Sequence, residues 1–247
     1  PDAIAAIKTW DGDAGTVQWE TPNNWNANGV PVSTDTILLD NSSVGTLPSI
    51  MNTTGLTMTV MGITFNTANS VTLGNTGTGS GAASSITLNG LGDAGNTLIS
   101  LTNTGNFSII PQNSGNQVLT LLLGASGTMN VTNAAATLTI SANIGQTAGG
   151  AKGITKTGAG KLILGGSNSY TGLTDVQAGT LEYANNDVTS NSASLKVSGG
   201  TLDIRSFNDT AAGVQLTSGN INGTIGILTS TSTFDLQTGS VSARLGG

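Results

Sequence analysis

Residues 153–183, GITKTGAGKLILGGSNSYTGLTDVQAGTLEY, hold three short apolar-polar alternations: Lys161-Leu162-Ile163-Leu164, Thr174-Asp175-Val176 and Thr180-Leu181-Glu182-Tyr183. Alternation with a period of two over so few residues predicts half-buried β-strands. Glycines at 158, 160, 165, 166, 172 and 179 punctuate them. Glycine supplies turns that need a positive φ or a close backbone approach. No window here sets apolar residues at helical spacing. Short strands, one or two glycines per corner and no long loops describe the rungs of a β-solenoid.

The pattern runs on in both directions. Upstream, Ile37-Leu38-Leu39 reads as a buried strand and Leu56-Thr57-Met58-Thr59-Val60 alternates cleanly. Gly62–Asn66, Val71–Leu73, Ser85–Leu88, Leu98–Leu101, Phe107–Ile109, Val118–Leu121, Met129–Val131 and Leu138–Ile140 follow. Downstream come Leu195–Val197, Thr201–Ile204, Val214–Leu216, Ile221 and Ile225. Asn89-Gly90 and several Thr-Gly and Ser-Gly pairs supply breakers, and Gly74–Gly81 reads as a looser loop. A β-sandwich is the alternative, but its strands run longer than these.

Charge is scarce. Of 247 residues, 8% are charged, and between Asp40 and Lys152 the one charged residue is Asp93. Hydration there falls to Thr, Ser and Asn, which alternate with Leu, Ile and Val; Thr suits the outer face of a pleated strand. No basic patch exists for nucleic acid or anionic membrane. The longest dense apolar patch, Val118–Leu123, is far short of a membrane span. No signal peptide is visible, and a start at Pro1 implies a processed or trimmed end. With neither Cys nor His, the chain is to be held by packing and continuous backbone ladders.

All three tryptophans, Trp10, Trp19 and Trp25, lie within sixteen residues, next to Asp11-Gly12-Asp13, Asn23-Asn24 and Val30-Pro31. Indoles can plug the end of a solenoid, whose first rung otherwise exposes apolar side chains and unpaired backbone. Flat indoles beside Asn and Asp can also stack on sugars, which requires Trp19 or Trp25 to be exposed. Asp11, Asp13, Asp35 and Asp40 could supply oxygen ligands to calcium, although the twelve-residue calcium-loop pattern is missing. The arm Pro1–Thr9 reads as a frayed terminus or a first rung, or as a strand donated to a neighbouring subunit.

The order K-T-G-A-G-K-L-x-L-G-G-x-N-x-Y-T-G-x-T-x-V-x-A-G-T-L resembles the autotransporter-associated β-strand repeat. That repeat belongs to passenger domains of bacterial type V secreted proteins and to large surface proteins of Verrucomicrobia-like bacteria. Lys156, Thr157, Gly158, Gly160, Leu162, Leu164, Gly166, Asn168, Tyr170, Thr171, Gly172, Thr174, Val176, Gly179, Thr180 and Leu181 carry the match; Lys161 departs from the usual Thr. The W-D-G…W…N-W…P spacing is similar to the module preceding such repeats, and Gly62-Ile63-Thr64-Phe65 to one of its strands. Phe234–Gly247 is similar to the stretch that runs into a fresh repeat, so the chain stops where another would start. The resemblance implies secretion and a bacterial surface. It implies no reaction.

Catalytic constellations are thin. Without His or Cys, Ser-His-Asp, Cys-His and His-type zinc arrangements are excluded. Asp175, Glu182, Asp187, Asp203 and Asp209 sit singly among Thr and Ser, as solvated surface groups do, whereas glycoside chemistry needs two carboxylates about 5–10 Å apart on one face. Gly158-Ala159-Gly160 lacks the Lys-Ser/Thr pair and the following helix of a phosphate loop. Sequons at Asn41, Asn52, Asn106, Asn130, Asn208 and Asn222 are expected by chance in a chain so rich in Asn, Ser and Thr.

The sequence therefore predicts a right-handed parallel β-solenoid over residues 36–247 behind an arm and Trp-rich cap over residues 1–35. No catalytic, cofactor or metal residue is assigned. The expected role is a non-enzymatic structural protein of the bacterial surface, self-assembling head-to-tail into a filament or lattice. An adhesin or glycan-binding passenger is the alternative.

Overall fold

The computed structural model describes residues 6–12, 14–26, 29–40, 50–75, 83–112 and 118–247. The predicted solenoid is there: strands stack into three sides, and every strand ladder is parallel.

The first side stacks Ile7–Thr9, Thr36–Asp40, Gly62–Asn66, Thr97–Leu101, Gly127–Val131, Ile154–Thr157 and Thr174–Val176. The second begins with Ile50–Thr53 and passes through Val71–Asn75, Phe107–Gln112, Thr137–Ile140, Lys161–Leu164 and Thr180–Tyr183. Two long strands, Leu195–Asp203 and Val214–Asn222, turn the corner and serve both sides. The third side carries Thr57–Val60, Ser84–Leu88, Leu119–Leu123 and Asn143–Gln146, and later Asp209–Ala211, Ile227–Ser230 and Arg244–Gly246.

The register shows why strands so short suffice. Ile63 pairs with Ile99 and Ile99 with Met129, advances of 36 and 30 residues per turn. From Lys156 the advance falls to 20, then 21, 19 and 20 residues through Val176, Val197, Leu216 and Leu236. Early turns carry loops, whereas later ones are little more than two or three strands and their corners. The backbone groups of a strand inside each sheet are satisfied by the rungs above and below, so the ladder holds what local propensity alone does not.

Alternation places Leu, Ile and Val inward. Ile37, Leu39, Ile63, Phe65, Leu121, Leu162, Leu181 and Leu202 are all essentially fully buried in one continuous core cluster that also contains the three tryptophans. Phe65 and Phe107, from two different sides, stack across that core with ring centroids 4.9 Å apart and planes 5° from parallel. Burying each such side chain is worth about 1.5–3 kcal/mol.

Several local expectations are revised. Leu38 is only half-buried, so 37–39 alternates rather than being buried throughout. Ile225 is 70% exposed at a turn, and the strand that follows is Ile227–Ser230. Asn143–Gln146 is a strand that the sequence pattern did not single out. Val71–Asn75 continues as strand to Asn75, and the rest of the expected glycine-rich loop lies outside the described residues.

Candidate functional site

At the start of the chain, Ile7–Thr9 is the first rung, paired in parallel with Thr36–Leu38 of its own chain. Residues 1–5 of the arm lie outside the described residues. The tryptophans close over this end. Trp10 and Trp25 form an isolated antiparallel bridge, and Trp25 stands edge-on to both Trp10 (centroids 5.2 Å) and Trp19 (5.4 Å). Trp25 Nε1 donates to the Trp19 carbonyl at 2.8 Å. Trp19 and Trp25 are 0% exposed, so neither offers an indole face to a sugar. The structure supports the cap.

The acidic residues around it do not gather. The Asp35 carboxylate accepts from Val32 N at 3.0 Å and so fixes a turn, and Asp13 lies outside the described residues. Among the described residues no group of three or more acidic side chains could hold a metal ion.

The richest polar chemistry lies at 152–209. Lys156 shares the inward parity of Ile154 and sits in the core column between Met129 and Val176. It is fully buried. Its Nζ donates to the carbonyls of Thr157 (2.7 Å), Gly158 (2.9 Å) and Ala178 (3.2 Å), one acceptor for each ammonium proton. Burial pulls this ammonium down to about 8. Lys152, also buried, donates to the carbonyls of Thr147, Ala148 and Gly150. Both lysines therefore cap turns that cannot be satisfied by the ladder. The Gly158–Gly160 corner is committed in the same way: Gly160 N donates to Val131 O. It is a structural corner.

The five carboxylates that sequence reasoning took for separate solvated groups divide into three environments. Glu182 bridges two rungs: Oε2 meets Lys161 Nζ at 2.7 Å and Oε1 meets Arg205 Nη1 at 3.2 Å. Asp203 is in register with Glu182 on the next rung, and its Oδ1 accepts from Arg205 N. These two carboxylates are neighbours on one face. Asp175 is buried, accepting from Ser198 Oγ at 2.7 Å and from Gln177 Nε2 at 3.1 Å.

Asp209 is buried on the third side. Burial pushes its carboxyl up to about 7; Thr189 hydrogen bonds oppose the shift and the Asp187 charge adds to it. Two buried tyrosines stand close by. Tyr183 shares a hydrogen bond of 2.6 Å with Thr189 Oγ1, and Tyr170 one of 2.7 Å with Thr174 Oγ1. Burial lifts both phenols, Tyr170 to about 12. The missed signal for both Lys156 and Asp209 is parity: each occupies an inward position of its strand.

Residues 154–182 match the family model of the passenger-associated-transport-repeat. The matched repeat thus begins on the lysine-pinned strand and ends on the strand carrying Glu182. It marks the point where turn length drops to about twenty residues. The match points to a surface or secreted protein. No curated protein and no solved structure matches the chain. Among the described residues no helix is long and apolar enough to cross a membrane.

The repeat's corner explains its glycines. Gly179 has φ +62°, and a Cβ there would overlap the carbonyl oxygen of Gly160 on the rung before. Gly219, at φ +95°, meets the Gly200 carbonyl in the same way two rungs later. Only glycine lets successive corners stack at strand spacing. The sequons do structural work as well: Asn106 accepts from Thr137 N and Asn208 from Ile227 N, each fixing the next rung. Asn41 and the Asn52 side chain lie outside the described residues. A groove of about 330 Å³ follows the stacked corners between Leu173 and Asp235, floored by Leu195 and Val214 and edged by Lys196 and Gln215.

Proposed function

We propose that this chain is a non-enzymatic structural segment of a bacterial surface or secreted protein, a stiff rod lengthened by stacking copies head-to-tail. The observation that carries the reading is the parallel ladder, which runs through one sheet from Ile7–Thr9 to Ser240–Val241 on the first two sides and in two separate blocks on the third, and is closed at one end by the tryptophans. A rod of this kind resists bending because every rung is hydrogen-bonded to both neighbours. Among the described residues Phe234–Leu236, Ser240–Val241 and Arg244–Gly246 each pair on one edge, which leaves the other for a further rung of this chain or of a second copy, and Leu236 and Leu245 are 45% and 38% exposed. Such an edge accepts another parallel strand, and a head-to-tail contact that does not close propagates as a fibre.

The side chains fit a structural role. Lys152, Lys156, Asp175 and Glu182 are engaged in hydrogen bonds or ion pairs that tie turns and rungs together. Glu182 and Asp203 are in register on neighbouring rungs, and Glu182 is held between two cations. The glycan-binding reading loses the indoles that motivated it.

Light scattering and electron microscopy across a concentration series test the proposal. Mass should rise with concentration, and fibres or sheets should show an axial repeat near one subunit's length. A Leu236→Lys variant should stay monomeric. A native chain that remains monomeric at every concentration removes the assembly half of the proposal.

A further inference from the structure

The third side holds a buried acid that no salt bridge among the described residues balances. Asp209 is 1% exposed. Its Oδ1 accepts from Thr189 N at 2.9 Å, while Oδ2 is buried without a well-formed hydrogen bond, although the Thr189 and Tyr183 hydroxyls lie beside the carboxyl. The groups around it come from three neighbouring stretches. The preceding turn contributes Asp187, Val188 and Thr189. The strand Thr180–Tyr183 contributes the Tyr183 hydroxyl, and the Tyr170 hydroxyl lies one rung further back. On the following rung Asp209 pairs with Leu228 of Ile227–Ser230, a strand with no titratable side chain. The one full charge acting on Asp209 is therefore Asp187, of the same sign. Arg205, the nearest cation in sequence, is engaged by Glu182.

A carboxyl in this setting is easier to accommodate neutral than charged. Protonated, the carboxyl can donate to the Tyr183 or Thr189 hydroxyl beside it, and Oδ1 keeps the Thr189 amide. Ionised, the same oxygens place a charge in an apolar interior beside two phenols whose own ionisation it disfavours.

We propose that Asp209 is a proton-operated latch in the third side of the solenoid: protonated, it clamps the turn at 187–189 onto the strand Asp209–Ala211, and ionised, it loosens that junction. The device reads ambient acidity, which a protein outside the cell meets directly, and it is independent of whether the rods assemble.

The sign follows from the folded state holding the proton more tightly than the unfolded one. With the folded carboxyl at about 7 against an ordinary 3.8, the contribution is complete below about pH 4 and is lost as pH rises to about 7. The thermal midpoint of the native chain should fall by roughly 5 °C between pH 4.5 and 8. The Asp209→Asn variant, permanently neutral, should show a markedly smaller fall and melt above the native chain at pH 8. Parallel profiles for the two proteins overturn the proposal.

Hydrogen exchange on the native chain gives a reading that needs no variant. Corrected for the intrinsic effect of pH, the Thr189 amide should exchange at least about 10-fold faster at pH 8 than at pH 5 if its junction opens locally. The Ile144 amide, which is held by Asn168 Oδ1 on the same side, should show no such change. Equal protection of Thr189 at the two pH values overturns the latch.

Discussion

Lys156 Nζ reaches forward one rung to the carbonyl oxygen of Ala178 at 3.2 Å, while its other two protons stay on Thr157 and Gly158 of its own corner. One ammonium thus ties two successive corners together from inside the core. Replacing it tests whether the charge or the aliphatic stem matters. Lys156→Met keeps a stem that fits between Met129 and Val176 but leaves three carbonyls without a donor. A loss of about 3 kcal/mol in chemical denaturation is expected, because unsatisfied buried polar groups cost about 1–3 kcal/mol each and some of these will find water. A loss below about 0.5 kcal/mol would show that packing alone holds the corner.

The corner glycines make a sharper test, because one substitution can be matched to a control. Gly179→Ala puts a methyl into the Gly160 carbonyl at φ +62°, where both partners are backbone and neither can move without shifting its rung. Gly92 also has a positive φ, +71°, but a Cβ there meets nothing within 4 Å. The control should lose about 1 kcal/mol, the left-handed backbone penalty alone. Gly179→Ala should lose at least about 3 kcal/mol, in the range kept for severe steric faults. Equal losses would mean that dihedral strain, not close stacking, requires glycine at the corner.

These residues also show what the sequence could and could not disclose. Strands such as Lys161–Leu164 were legible because their inward positions are Leu162 and Leu164, so period-two patterning named both the strand and its buried face. Asn143–Gln146 was not, because Ile144 is its one large apolar residue. Lys156 was visible as a repeat position but not as a core residue: lysine reads as solvent-facing, and only its parity with Ile154 points inward. Asp209 hides in the same way beside Ala211. The lengths of the early turns could not be read, because strand patterning fixes what stacks and not how much loop intervenes. Which carboxylates become neighbours depends on register, and register emerges only once each turn's length is known.

Glu182 and Asp203 show that dependence energetically. They are one rung apart in register, yet Glu182 holds Lys161 and Arg205 while Asp203 mainly caps Arg205 N. Glu182→Gln should destabilise by about 1 kcal/mol, since both cations are more than a third exposed and such pairs are weak. The loss should shrink in molar salt. Asp203→Asn keeps the cap and removes a like charge beside Glu182, so it should be neutral or slightly stabilising. Opposite ordering of the two variants would contradict the ion-pair geometry.

The uniform late turns lead to a prediction about the architecture as a whole. Thr174 pairs with Leu195 and Leu195 with Val214. Removing 195–213 therefore deletes one complete turn and brings Val214 to the position that Leu195 held over Thr174. The inward column then reads Lys156, Val176, Leu216, and the corner passes from Gly179 to Gly219 without interruption. Because a solenoid's stability is roughly a sum over rungs and their interfaces, the shortened chain should fold with unchanged β-sheet circular dichroism. Its unfolding free energy should be lower, since the Arg205 ion pair and the Asp209 turn leave with the segment. Deleting 195–204 instead shifts register by half a turn, puts polar residues into the core column and should abolish cooperative unfolding. If both deletions unfold alike, the late turns are not interchangeable units, and the ladder depends on contacts particular to each rung.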